Sequence, residues 1–146
     1  MIVVGVDGSE ASREALCWAV AEARLRQSSL RVVYAWLAPQ AGGRSSIPQE
    51  LLDPKLLRQT AQEHLSDFVA EAVGEISDVR LKRVAVEGPA AKVLVEAAED
   101  AELLVVGSRG RGGFAGLLLG SVSHHCAHHS ACPVVIVRGK AHEDEP

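Results

Sequence analysis

Aromatic rings are scarce in this chain: two Trp, two Phe and one Tyr in 146 residues. A core built on stacked rings is therefore excluded, and the interior has to come from Val, Leu, Ile and Ala. With 47% of residues hydrophobic, that supply is ample for one domain of this length. A Val/Leu/Ala interior suits parallel strands covered by Ala-rich helices better than an aromatic-rich sandwich. There is no block of Lys or Arg: 15 basic residues stand against 19 acidic ones, net −4. Nucleic-acid binding needs a concentrated positive face, so that class is disfavoured. No apolar run approaches the ~20 residues that cross a membrane. No charged segment precedes the first apolar run, so no secretory leader is expected. Cysteine is limited to Cys17, Cys126 and Cys132, an odd count without framework spacing, which fits a reducing compartment. These absences lead to the expectation of a soluble cytoplasmic protein.

What is present alternates. Ile2 to Val6 is a short buried-strand run ending at Asp7-Gly8-Ser9, with Ser9 as N-cap and Ser12 where a capping box has Glu. Ala15, Leu16, Ala19, Val20 and Ala23 form a helical stripe opposed by Glu14, Glu22 and Arg26, with Cys17 and Trp18 packing at its edges. Leu30 to Trp36 is the second strand, and Leu37 to Asp53, rich in Pro, Gly and Ser, is a long connection. Pro54 to Gly74 carries Leu57, Ala61, Leu65, Phe68 and Ala72 at helical spacing, with His64 as a solvated surface side chain. Val79 to Val86 alternates as an edge strand bearing Arg80, Lys82 and Arg83. Pro89 opens a helix through Glu99. Leu103 to Val106 is a strand buried on both faces, Ser121 stands at or next to the start of the helix SVSHHCAHH, and Val134 to Val137 is the last strand. The expectation is one domain over 1–138 with a flexible charged tail over 139–146.

The chemistry concentrates between the last two of these helices. Gly107, Gly110, Gly112, Gly113, Gly116 and Gly120 fall within fourteen residues, between a strand and a capped helix. Bare loop amides and the amides of a helix start both point at anions, so this reads as a phosphate-binding arrangement. It is not a Walker loop, because Gly120-Ser121 closes it without the Gly-Lys-Ser/Thr signature. A dinucleotide fingerprint begun at Gly110 would place Ala115 at its third glycine, so that fails too. Gly107, two residues, Gly110, nine residues, Gly120-Ser121 is the spacing to explain.

That spacing resembles the ATP-binding loop of the universal stress protein family. IVVGVDGSEAS at the start and CPVVIVR at the end resemble the family as well, so the likeness covers Met1 to about Arg138. It implies an α/β fold, an open five-stranded parallel sheet of order 3-2-1-4-5 with helices on both faces, Rossmann-like. ATP would then lie outside the strand ends at the switch between strands one and four. The resemblance sets the phosphates against the amides around Gly110, Gly120, Ser121 and Val122, within the loop of Ser108, Arg109, Arg111, Gly112 and Gly113. Gly107 would run along the ribose, where any side chain would intrude; Gly5 and Ala35 would line the adenine. Asp7 would stand beside the adenosine and help order Mg2+ through water; its plainer reading is a strand-end cap. Arg109 and Arg111 either close over the triphosphate or are solvating charges. The family also implies a homodimer through antiparallel pairing of Val134 to Val137.

The function implied is regulatory: an ATP-binding protein that signals stress through nucleotide-dependent partner interactions, with no catalytic residues. The alternatives are a slow ATP hydrolase or a phosphoryl or nucleotidyl transferase, and a dimeric interaction module that binds no nucleotide. Turnover is poorly supplied, with no lysine near the loop and Asp7 its one candidate carboxylate. A phospho-accepting receiver lacks the acid after the third strand, and an FMN protein lacks the aromatic cover. His124–His128 and His125–His129 have i,i+4 metal-ligand spacing, but the pairs point about 100° apart and no carboxylate completes either. A physiological zinc site is not expected there; adventitious nickel or zinc binding in purification is.

Overall fold

The computed structural model describes residues 1–39, 48, 52–110 and 119–139. Nine elements follow one another: β1 (Ile2–Val6), α1 (Glu10–Arg26), β2 (Leu30–Trp36), α2 (Pro54–Val73), β3 (Leu81–Glu87), α3 (Ala90–Ala97), β4 (Leu103–Gly107), α4 (Ser121–His129) and β5 (Val134–Val137). The strands form one sheet of order β3-β2-β1-β4-β5, parallel at every pairing. Ile2 pairs with Leu30 on one side and Leu103 on the other. Right-handed crossovers then lay the helices on both faces.

The period-two alternation of the strands feeds two cores. Ile2, Val4, Val6, Leu30, Val32 and Val105 pack under Ala15, Leu16 and Ala19 of α1 and Leu65 and Val69 of α2. Val3, Val33, Leu104 and Val106 face the other way, onto Val93 and Leu94 of α3 and Cys126 of α4. The α1 stripe is buried as its spacing required, whereas Cys17 and Trp18 at its edges are exposed. Burial pushes the Cys126 thiol up to about 11, so it packs as a small apolar side chain.

Some boundaries move. Val79 is buried in the first core but precedes the ladder, which starts where Leu81 meets Leu30 and runs on to Glu87 opposite Trp36. Pro89 is the N-cap of α3 rather than its first helical residue, and the helix ends at Ala97. Ser9 caps α1 by accepting from the Ser12 amide at 3.2 Å, while the Ser12 hydroxyl donates back to the Ser9 carbonyl at 2.9 Å. The Leu37–Asp53 connection falls largely, and positions 140–146 of the tail wholly, outside the described residues.

Candidate functional site

In an open parallel sheet a crevice opens outside the carboxyl ends of the strands where the chain order reverses. Here that point lies between β1 and β4, and Asp7 and Gly107 stand at the two strand ends. The cleft between them is lined by Gly5, Asp7, Ala35, Gly107, Arg109, Gly110 and Val122, together with Ser12, Leu94 and Ser123. Its floor is mainly apolar; Asp7 and Arg109 are the charged side chains on its described wall.

Asp7 is held from behind: one carboxylate oxygen accepts the Ser9 amide at 2.9 Å, and the Asp7 amide donates to the Ser12 hydroxyl at 3.3 Å. Its other carboxylate oxygen lies where a Cβ at Gly110 would be, so the loop backbone approaches the acid directly. Gly110 can come this close only because it lacks a side chain.

Behind the cleft, β4 and α4 are latched through Ser108. Its carbonyl accepts the Gly120 amide at 2.6 Å and the Ser123 hydroxyl at 2.9 Å, and its own amide donates to Val137 at 2.8 Å. Ser108, Gly120 and Ser123 are buried. Gly120 is the N-cap of α4, and its amide is committed to Ser108. The first-turn amides of Ser121 and Val122 have no partner within the helix and carry the positive end of its dipole. Ser121 itself is exposed.

Of the residues singled out by sequence, Gly5, Asp7, Ala35, Gly107, Arg109, Gly110 and Val122 thus meet at one cleft. Ser108 and Gly120 support it from behind, and Ser121 stands at the helix start beyond its lining. Arg111, Gly112 and Gly113 lie outside the described residues. Glycine at 107 also has a packing reason, separate from the ribose contact that the resemblance implied. A Cβ there would sit 2.8 Å from the carbonyl carbon of Ala11, so the position is cleared for α1. Gly5 likewise clears Leu94, whose Cδ1 lies 2.5 Å from the place of the missing Cβ. Sequence reasoning passed over Ser123, although a serine at the third position of a capped helix is a familiar signal for a hydroxyl turned back on the preceding carbonyls.

A larger groove, about 380 Å³, opens on the opposite side of Asp7 between α1 and α2. Its wall carries Asp7, Glu10, Asp67 and Glu71. Arg13 lies among them, 3.1 Å from Glu71 and 3.8 Å from Glu10. With four carboxylates against the paired Arg13 and His64, the described wall is net negative and repels an anion, so size does not make this groove a phosphate site.

The profile of the universal stress protein family matches residues 1–138. Universal stress protein Rv2623 of Mycobacterium tuberculosis is 36% identical over 137 residues, which cover 94% of this chain and 44% of that protein. The chain spans about half the length of the curated relatives it matches. UspA of Lactobacillus plantarum superimposes with a TM-score of 0.67 at 22% identity, over 94% of this chain and 96% of its own. A universal stress protein solved in complex with cAMP superimposes with a TM-score of 0.64 at 28% identity, over 94% of this chain and 95% of that one. By its sequence, its strand order and the matched span, the chain belongs to the universal stress protein family.

Proposed function

We propose that the cleft between β1 and β4 binds an adenine nucleotide, ATP, and that the protein signals its occupancy to partners in the cytoplasm during stress. One observation carries the reading: Asp7, the glycine-lined backbone from Gly107 to Gly110 and the start of α4 converge at the switch point of the sheet. The base fits the apolar end near Gly5, Ala35 and Leu94, and the ribose hydroxyls fall to Asp7. The phosphates run toward the amides of Ser121 and Val122, where the helix dipole favours negative charge. Arg109 lies on the wall where it can close over them. The cAMP complex of a relative 28% identical supports the choice of base. Mg2+ enters with the phosphates, since this ion keeps several of its waters and binds through substrate phosphates and one or two carboxylates. The role is binding rather than turnover: Asp7 is the one carboxylate on the cleft's described wall, and phosphoryl transfer calls for a positioned base together with phosphate-directed cations and metal.

We also propose a homodimer through β5, whose outer edge is apolar in sequence and unpaired among the described strands.

The test is the nucleotide content of the purified protein, followed by titration with ATP, AMP and cAMP in the presence of Mg2+. Asp7→Ala and Gly110→Ala are run beside the wild type, with circular dichroism to confirm folding. Adenine nucleotide should co-purify or bind, and both substitutions should weaken it at least tenfold, about 1.4 kcal/mol. No binding by folded wild-type protein would leave the dimeric interaction module as the reading.

A further inference from the structure

Helix α4 carries four histidines in nine residues, and all four are exposed. The helical repeat sorts them into two i,i+4 pairs. The rings of His124 and His128 have centroids 4.5 Å apart, tilted at 56°; those of His125 and His129 are 4.4 Å apart, tilted at 37°. His128 and His129, one from each pair, stand 6.4 Å apart. No acid or thiol among the described residues joins them to form a set of three.

We propose that each pair is a two-imidazole clamp for one divalent transition-metal ion, with water completing the coordination. Metal–nitrogen bonds of about 2.1 Å place two ligands on one ion roughly 3 Å apart. Exposed rings with centroids 4.4–4.5 Å apart reach that separation by side-chain rotation alone. Neutral imidazole nitrogens select Cu2+, Ni2+ and Zn2+ over Mg2+ and Ca2+, with Cu2+ bound most tightly. His128 and His129 occupy the last turn of α4, where the helix dipole favours positive charge. Two nitrogens with open water positions make an exchangeable capture site, unlike the closed four-ligand site of a structural zinc. The proposal is independent of nucleotide binding, which uses the other end of the helix.

His64 supplies the control within the same molecule. It is exposed on α2 with Asp67, and no second histidine, one turn away, so it is a single imidazole. The experiment titrates untagged protein with Cu2+ and with Zn2+ by calorimetry and follows Cu2+ by electron paramagnetic resonance. Two ions per chain should bind at micromolar metal. His128→Ala should leave one such ion and weaken the other about 100-fold, the scale of a lost chelate partner. His128→Ala with His129→Ala should remove both, while His64→Ala changes nothing. Alanine favours helix more than histidine at these exposed positions, so unfolding does not imitate the loss. Uptake only at millimolar metal, an unchanged stoichiometry in the double variant, or a single ion that needs all four rings would each overturn the proposal.

Discussion

At Gly107 the space for a side chain is filled by backbone, and at Gly5 by the tip of a side chain, which makes their costs unequal. A Cβ at 107 meets the carbonyl carbon and oxygen of Ala11 at 2.8 and 3.0 Å, so all of α1 would have to move. A Cβ at 5 meets only Leu94, which can change rotamer. Overpacking of this kind costs about 1–3 kcal/mol, so Gly107→Ala should fall near 3 and Gly5→Ala near 1 in urea unfolding of nucleotide-free protein. Adding Leu94→Ala should relieve the penalty at Gly5 and leave that at Gly107, a coupling visible in a double-mutant cycle. Equal costs at the two glycines would mean that the α1 backbone yields as easily as a leucine side chain. Asp7 and the glycine spacing were legible in the sequence because each is a local pattern. The packing role of Gly107 was not, since Ala11 meets it only after the chain has folded back. The latch at Ser108 was hidden for the same reason: its carbonyl and amide find Gly120, Ser123 and Val137 only in the folded chain.

The elements themselves were readable wherever periodicity and burial agree. β1, β2 and β4 are short apolar runs between turn residues, and the α1 stripe repeats at helical spacing over several turns, so little competes with these readings. Ends are set by ladders and caps instead. Val79 satisfies the alternation but has no ladder partner, and Pro89 serves as a cap because the chain reaches α3 already extended. The strand order entered through the family resemblance; composition alone admits several. The end of α1 is marked in the sequence by Arg24 and Arg26 in its last turn, without the glycine that commonly closes a helix. Gln27, its C-cap, adopts φ 55°, a left-handed conformation that side chains disfavour, while its amide donates to Ala23 and Arg24. Left-handed backbone costs a non-glycine residue about 1 kcal/mol, and glycine gives some of that back as unfolded-state entropy. Gln27→Gly should therefore stabilise the protein by roughly 0.5 kcal/mol, seen as a higher urea midpoint at unchanged slope. A lower midpoint would mean that the Gln27 side chain contributes more than its backbone strain costs.

At the scale of the whole molecule, the described strands leave two sheet edges, and they are not alike. On β3 the exposed positions are Lys82, Arg83 and Glu87, charges that discourage another chain from adding to the ladder. On β5 the four residues are Val134, Val135, Ile136 and Val137, with no charge among them. If copies of this chain pair edge to edge, β5 is the edge they use. The hydrogen bonds fix which groups would do it. Pro133 and Val137 present their carbonyls to Leu104 of β4 and to Ser108 just beyond it, so by the alternation of a ladder the backbone of Val134 and Ile136 faces outward. Ile136→Pro removes an outward N–H while leaving every bond to β4 in place, and proline is tolerated on a strand edge. Wild-type protein should sediment as a dimer, and the Ile136→Pro variant as a folded monomer with its helical circular dichroism retained. Some loss of stability accompanies the change, since Ile136 also packs against the core formed with α3 and α4. A replacement that keeps the backbone donor, Ile136→Val, should stay dimeric, which separates the ladder from side-chain packing as the source of association. A monomeric wild type, or a dimer that survives the proline, would place any association of this chain on another surface.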